Sequence, residues 1–316
     1  MTRDVDTLVV GAGLRGLAAA LRLRHTETAD RILVVDAEPR AGGSVATQRS
    51  NGFVCELGLF AFTNDEVEPL LAVLARAPRP VPCTERARRG SLFDGERLHD
   101  VDVQPLPVSF ASGNEELVQA CRRALGSSLL LGRRATSLAP ADGGLAVVLG
   151  GEVETRVVAR RVVLALPTVA AASLLARFDP ALGQIAQHVS HEPRAFAFLG
   201  GIASEAPELR GYGVVPVDGL ETPVLEFVFC TEVFPRRALP DRCLVRAELA
   251  GSDVAGDDDA VLTCAERELR RWTGTRAAFG FRKLHRFTTE TADGARVECR
   301  ARIDELAARI PFLSLA

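Results

Sequence analysis

The apolar residues near the start of the chain fall into short runs that end in glycine or acid. Thr7-Leu8-Val9-Val10 leads into Gly11, and Arg31-Ile32-Leu33-Val34-Val35 leads into Asp36. Such runs suit strands buried on both faces of a parallel sheet. Between them, residues 14–23 repeat leucine and alanine at helical spacing. Strand, helix and strand within about 30 residues predict a right-handed βαβ unit.

Downstream, the periodicity predicts helices over 66–76 and 113–124. Strands follow at 129–131, 145–149 and 156–166, with Gly143-Gly144 and Gly150-Gly151 as turns. A helix begins at Ala170. From 195 to 249 the chain reads mostly as β, with runs at 196–199, 212–216, 224–230 and 243–249. Helices are predicted over 257–272 and 300–310, and Pro311 opens an apolar strand. Residues 77–107, rich in proline and charge, read as irregular.

Length and charge narrow the picture. Single cores stop growing at roughly 250–300 residues, so 316 residues predict two domains. A net charge of −3 gives no basic footprint and argues against nucleic acid as a partner. Lys283 is the sole lysine, which reads as a bias toward arginine. Seven dispersed cysteines without a C-x-x-C pair read as reduced thiols, with neither a disulfide frame nor a metal site. The longest apolar stretch, 162–176, is too short for a membrane span and contains Pro167. No signal-peptide layout is visible at the N-terminus, so a cytoplasmic location is expected.

The chemistry concentrates in Gly11-Ala12-Gly13-Leu14-Arg15-Gly16, between the first strand and helix. Gly11 makes the tight turn, Gly13 lets a pyrophosphate approach the backbone, and Gly16 lets helix and strand pack closely. The helix N-terminus offers N–H groups and partial positive charge to phosphates. Asp36, twenty residues after Gly16, can accept from ribose hydroxyls. These features predict a dinucleotide site. The same glycines would also serve a Rossmann-like unit that has lost its ligand.

Asp36-Ala37-Glu38-Pro39-Arg40-Ala41-Gly42-Gly43 extends this motif, and the extended pattern resembles the flavin amine oxidase superfamily. The resemblance implies FAD as cofactor. Ser44 stands where that family usually carries arginine. Gly52-Phe53-Val54-Cys55-Glu56-Leu57-Gly58 is similar to a family segment ending beside the flavin, with Leu59-Phe60 replacing Pro-Asn. Residues 109–117 and 131–138 look like further family segments. In the second, Ala135 replaces a valine at the adenine. Val162-Val163-Leu164-Ala165-Leu166-Pro167 resembles the strand that approaches the cofactor, and 211–216 with 234–237 resemble protoporphyrinogen oxidases in particular.

Two departures stand out. The helical capping insertion expected between Phe62 and Phe110 is mostly missing. The sequence also stops at Ala316, where the family continues into a turn and helix facing the flavin. A shortened chain, a non-catalytic relative, or a partner chain or homo-oligomer completing the flavin site would each account for this.

The resemblance implies an α/β fold: a Rossmann-like FAD-binding domain (1–66, 108–185, 300–316) with an inserted, mostly antiparallel β substrate domain (67–107, 186–299). It implies an FAD-dependent oxidoreductase abstracting hydride from a small-molecule substrate. The competing reading is a flavin-fold protein that binds a ligand or supports another enzyme. The expected cofactor-binding residues are Gly11, Ala12, Gly13, Gly16, Asp36, Ala37, Arg40, Gly42, Gly43, Ser44, Gly58, Leu59, Ala135 and Pro167.

Other candidates carry two readings each. Phe60 and Phe62 suit a flavin or substrate wall, or plain core. Arg236 and Arg237 suit a carboxylated substrate or a solvated loop. Lys283 suits catalysis near the flavin or a solvated surface, and Arg194 is the nearest cation in the segment where relatives carry lysine. His188 and His191 suit two metal ligands on a helix or surface packing. Asp257, Asp258 and Asp259 read as a helix cap. No catalytic acid–base pair stands out.

Overall fold

The computed structural model describes residues 2–26, 31–151 and 153–316. β1 (Thr2–Val10), α1 (Leu14–Thr26) and β2 (Ile32–Val35) form the opening unit, with Val10 opposite Val35 in a parallel pair. β3 (Thr47–Ser50) and β4 (Phe53–Glu56) make a hairpin. α2 (Asn64–Leu71) opens on a capping box between Thr63 and Glu66, which satisfies two free N–H groups and sets where the helix starts.

The stretch read as irregular in fact holds three strands, β5 (Pro80–Pro82), β6 (Arg89–Phe93) and β7 (Leu98–Asp102). β5 pairs with β8 (Val108–Phe110). α3 (Glu115–Leu125) then leads into β9 (Leu129–Leu130), β10 (Ala135–Ala141), β11 (Gly144–Leu149) and β12 (Thr155–Leu164).

α4 (Thr168–Leu175) and α5 (Pro180–Ala186) precede a long β excursion. It comprises β13 (His191–Ile202), β14 (Gly213–Pro216), β15 (Val224–Phe229), the short α6 (Cys230–Val233) and β16 (Arg242–Ala250). α7 (Asp258–Thr273) and β17 (Phe281–Glu290) follow, and α8 (Gly294–Arg309) with β18 (Leu313–Leu315) completes the order. β17 escaped the sequence reading because charged residues stand on both of its faces, masking the two-residue alternation. α8 begins six residues earlier than expected, where Asp293 caps it by accepting from the Arg296 N–H at 2.8 Å.

The strands form two seven-stranded sheets. The first runs β10-β11-β12-β1-β2-β9, with β18 paired to β12. β12, β1, β2, β9 and β18 are parallel, and β10 and β11 are antiparallel. α4, α5 and α8 cover one face through Leu175, Leu182, Cys299 and Ile303; α1 and α3 cover the other through Leu17 and Leu117. The second sheet runs β17-β13-β16-β15-β14-β6-β7 and is antiparallel except at β14–β6. α7 packs one face, where Trp272 stacks on Phe93 with ring centroids 5.0 Å apart. Burying a side chain of this size stabilises by about 1.5–3 kcal/mol. The opposite face turns Phe196, Phe198, Val228 and Leu244 toward Phe53, Cys55 and Phe60. That contact brings the two sheets to a shared site.

The seven cysteines form no disulfide. Among the described residues no helix is long and apolar enough to cross a membrane.

Glu290, at the end of β17, ties the second sheet to the helices of the first. Its carboxylate accepts from the Val169 N–H at 2.9 Å and pairs with Arg296 at 3.2 Å. Burial opposes its charge, but these donors and the Thr168 contacts win and hold it below the usual carboxylate range. A carboxyl held low in the folded state stabilises above the unfolded value of about 4.3 and stops doing so as pH falls through the depressed one. Glu290→Gln should therefore cost about 1–2 kcal/mol at pH 7 and much less at pH 3, checked by thermal unfolding at both pH values.

Candidate functional site

The glycine loop sits at the carboxyl end of β1, where a parallel sheet presents its ligand crevice. Gly11 has φ +109°, and a Cβ there would lie 2.3 Å from the Ala165 carbonyl. A Cβ on Gly16 would lie 1.9 Å from the Gly11 carbonyl. Both glycines are therefore required by the protein's own packing. Gly13 differs: its Cβ would meet nothing nearer than the Gly43 Cα at 3.9 Å. The space in front of Gly13 is left for something other than this chain's side chains.

Asp36 lies at the end of β2 beside this loop. Its Oδ2 accepts from the Ala12 N–H at 2.5 Å, and its Oδ1 from the Glu38 N–H at 2.8 Å. The 132–135 loop closes over it, with Arg133 N–H donating to the Asp36 carbonyl at 2.7 Å and Gly132 N–H to that of Glu38 at 3.0 Å. Ala37 is part-exposed between these contacts, and Ala135 opens β10 beyond them. Pro167 follows two residues after Ala165, the residue beneath Gly11 and Gly16, and starts α4.

The paired glycines complete the crevice. The Gly42 N–H donates to the Ala12 carbonyl at 2.8 Å, and Gly42 and Gly43 have φ of +112° and +58°. The Arg40 guanidinium donates to the Val45 carbonyl at 3.2 Å and to that of Gly43. It thus braces the turn from behind. A Cβ on Gly58 would fall 1.8 Å from the Ser44 carbonyl, and Leu59 N–H donates to that same oxygen at 3.2 Å. Segments distant in sequence therefore meet: 11–16, 36–44, 58–59, 132–135 and 165–167.

One hub was not among the expected site residues, although it lies within a quoted motif. Glu56 is buried and accepts from the Thr47 hydroxyl at 2.7 Å and the Asn114 N–H at 2.9 Å. Arg237 pairs with it at 3.3 Å, with both side chains at 1% exposure or less. Arg237 also donates to the Phe110 carbonyl at 3.2 Å and to Ser109. Burial pushes the Glu56 carboxyl up and the Arg237 guanidinium down, while each charge pulls the other back. Asn114 in turn donates to the Leu59 and Phe60 carbonyls at 2.8 and 2.9 Å, fixing the loop after Gly58.

These contacts correct the sequence reading of the arginine pair. Arg236 stays exposed, at φ +67°, while Arg237 is the residue that turns inward. Phe60 is 5% exposed and packs against Tyr212 and Phe234, so it serves the core between the sheets instead of lining an open pocket. Phe62 is likewise buried, against Phe110. His188 and His191 do not share a helix. His188 follows α5 and bonds the Gln184 carbonyl at 2.9 Å, whereas His191 opens β13 and bonds that of Val189 at 3.2 Å. Asp257 caps α7, accepting from Asp259 and Ala260 N–H groups at 3.1 and 3.4 Å, beside Asp258 and Asp259 in the first turn.

The second sheet supplies a charged floor. Arg246 on β16 donates to the Gly58 carbonyl at 2.7 Å and pairs with Glu226 at 2.7 Å. Its guanidinium lies over Phe60 and Phe196, 5.0 and 4.4 Å from their ring centroids. Arg194 on β13 pairs with Glu248 at 2.6 Å and Glu192 at 3.0 Å. Lys283 and His285 lie on β17, opposite Phe198 and Phe196 on β13.

With this geometry in view, the comparisons with known proteins fall into place. Residues 9–77 match the NAD(P)-binding Rossmann-like domain. The chloroplastic protoporphyrinogen oxidase 1 of Arabidopsis thaliana is 35% identical over 75 residues, covering 23% of this chain and 14% of that protein. The matched stretch is thus a small part of the curated relative. A candidate protoporphyrinogen oxidase of Exiguobacterium sp. 255-15 superposes with a TM-score of 0.77 at 15% identity, over 99% of this chain and 93% of the other. Putrescine oxidase bound to putrescine gives 0.73 at 16% identity, over 100% and 94%. Cyclohexylamine oxidase from Brevibacterium oxydans IH-35A gives 0.75 at 12% identity, over 99% and 93%. The chain has a Rossmann-like nucleotide-binding unit homologous to that of protoporphyrinogen oxidase, and its fold is the one shared by these oxidases.

Removing one member of the buried pair leaves the other charged and unpartnered. Glu56→Gln should destabilise by about 3–5 kcal/mol. Arg237→Met added to it should cost much less than the sum of the two single changes. Denaturant unfolding of the three variants checks both statements.

Proposed function

We propose that this chain is an FAD-dependent oxidoreductase of the protoporphyrinogen oxidase and amine oxidase type, acting on a small organic molecule. The observation that carries this reading is the space before Gly13, enclosed by the Asp36 carboxylate and the Gly42-Gly43 turn. A dinucleotide fits that donor set. The first N–H groups of α1 have no acceptor inside the helix and would meet the pyrophosphate. Asp36 would accept from the adenosine ribose, and the 132–135 loop would lie against the adenine. Gly42, Gly43, Ser44, Gly58 and Leu59 would border the flavin end.

Bound FAD would supply the acceptor for a hydride. The remaining work falls to the chain's own residues. Arg40 holds the carbonyls of the 41–45 turn, Arg246 holds that of Gly58, and the Phe53–Phe60–Phe196 cluster keeps water out of the space between the sheets. No protein acid or base is needed for this division of labour.

In this reading the FAD part comprises 1–66, 108–185 and 300–316, and the substrate part 67–107 and 186–299. The packing of α8 against α4 and α5 supports extending the FAD part back to about residue 294. The reduced cysteines support a cytoplasmic protein.

FAD titration of the purified protein, followed by quenching of flavin fluorescence, tests the proposal. Saturable one-to-one binding is expected, and its absence would overturn the assignment. Two glycine variants sharpen the test. Gly13→Val should fold with an unfolding midpoint near the wild type and lose at least about tenfold in FAD affinity, roughly 1.4 kcal/mol. Gly16→Val should fail to fold stably, because its Cβ meets backbone at 1.9 Å. Circular dichroism melts and the same titration separate these outcomes.

A further inference from the structure

The face of the second sheet that looks toward the glycine crevice carries a definite charge pattern. Its residues are given by the strand register: 281, 283, 285 and 287 on β17; 194, 196 and 198 on β13; 244, 246 and 248 on β16; 226 and 228 on β15. Every carboxylate on it is already engaged by an arginine: Glu226 by Arg246, and Glu248 and Glu192 by Arg194. Lys283 is the exception among the charged groups. It is partly buried, and no carboxylate among the described residues pairs with it. His285 stands two residues along the same strand face, within electrostatic reach of Lys283 and of Arg40 in the paired-glycine turn.

Aromatic rings line the same face on either side of this cation, and the Cys55 thiol lies within its electrostatic reach. Phe287 stacks on Phe196 with centroids 4.6 Å apart, His285 stacks on Phe287 at 6.2 Å, and Phe281 stacks on Phe53 at 4.5 Å. An ammonium on this partly buried strand face is a natural partner for an anion. The protein provides none, although three carboxylates stand on the same face. Burial, Lys283 and Arg40 hold the His285 imidazole below its ordinary value, so near neutral pH it is an uncharged neighbour of Lys283. A second cationic region exists at the far edge of the sheet, a cleft of about 260 Å³ beside Arg86, Arg89 and Arg210. Its charges are partly neutralised, by Glu232 at 3.5 Å and Asp100 at 3.6 Å.

We propose that Lys283, with His285 beside it, is the recognition point for the carboxylate of a planar, unsaturated or aromatic acid bound between the two sheets. The inference rests on the oxidoreductase reading for the site's purpose, but not for the binding itself. It separates this chain from a diamine oxidase: the face has no unengaged carboxylate for an ammonium group and one unengaged ammonium for a carboxylate.

The test uses the purified full chain, with and without FAD, in isothermal titration at fixed ionic strength. The probes are benzoate, its neutral isostere benzamide, and putrescine. Benzoate should bind at least about tenfold more tightly than benzamide, and putrescine more weakly than either. Lys283→Met should abolish the preference for benzoate, and Lys283→Arg should keep most of it. Both variants should bind FAD like the wild type, which shows that they are folded. Equal binding of benzoate and benzamide, no benzoate binding, preference for putrescine, or a preference unchanged in Lys283→Met would each overturn the proposal. Failure of the FAD titration alone would instead strike the oxidoreductase reading and leave the carboxylate site standing.

Discussion

A carboxylate sealed inside a protein must be met by donors, and in this chain the charge at Glu56 organises the site. Its partners come from four separate places: Thr47 on β3, Asn114 at the start of α3, Arg237 in the loop after α6, and through Arg237 the β8 residues Ser109 and Phe110. Asn114 then passes the constraint to the Leu59 and Phe60 carbonyls. Desolvating a carboxylate costs several kcal/mol unless such partners are present. The segment from Gly58 to Phe60 is therefore held at the crevice by an electrostatic requirement several residues away. The excursion that carries Arg237 is tied by the same requirement to the β3–β4 hairpin, β8 and the start of α3.

The glycine crevice was legible in the sequence because it depends on local chemistry. Gly11, Gly13, Gly16, Asp36, Arg40, Gly42 and Gly43 act through backbone conformation and spacing, and both are written in consecutive residues. Long-range pairings leave a weaker trace. Glu56 appears in the sequence as one acid in a short motif, and Arg237 as one of two adjacent arginines. Only the fold shows that Arg237 turns inward while Arg236, in a left-handed conformation, does not. Phe60 was read as a possible wall because an aromatic near a glycine motif suits both roles, and burial against Tyr212 and Phe234 decides between them.

Secondary structure shows the same division. β2, β11 and the carboxyl ends of β1 and β12 are apolar runs and were visible, whereas β10, with Thr136, Ser137 and Pro140, was not. β7 and β17 carry polar and charged residues on both sides, β6 holds Arg89 and Ser91 with a glycine, and their strand character comes from neighbours. β6 lies parallel to β14, and β17 has β13 along its whole length. Packing context overrides local propensity in such segments. For β17 the context includes ion pairs on the α7 side, where Arg282 meets Asp259 at 2.6 Å and Arg286 meets Asp258. Those pairs give the even-numbered residues a structural duty and leave the odd-numbered ones to face the crevice.

Arg246 shows how closely the two halves of the site are coupled. It stands on the second sheet, lies over the Phe60 and Phe196 rings, and donates to the carbonyl of Gly58 in the loop bordering the glycine crevice. Gly58 in turn must be glycine, because a Cβ there would collide with the Ser44 carbonyl. One guanidinium thus links β16 directly to the loop bordering the crevice. Glu226 completes the arrangement by compensating the arginine's charge from the same sheet. Among the described residues, Lys283 on this face and Arg40 in the paired-glycine turn are the nearby cations without a carboxylate partner. The floor of the space between the sheets is built by the same arginine that positions the Gly58 loop.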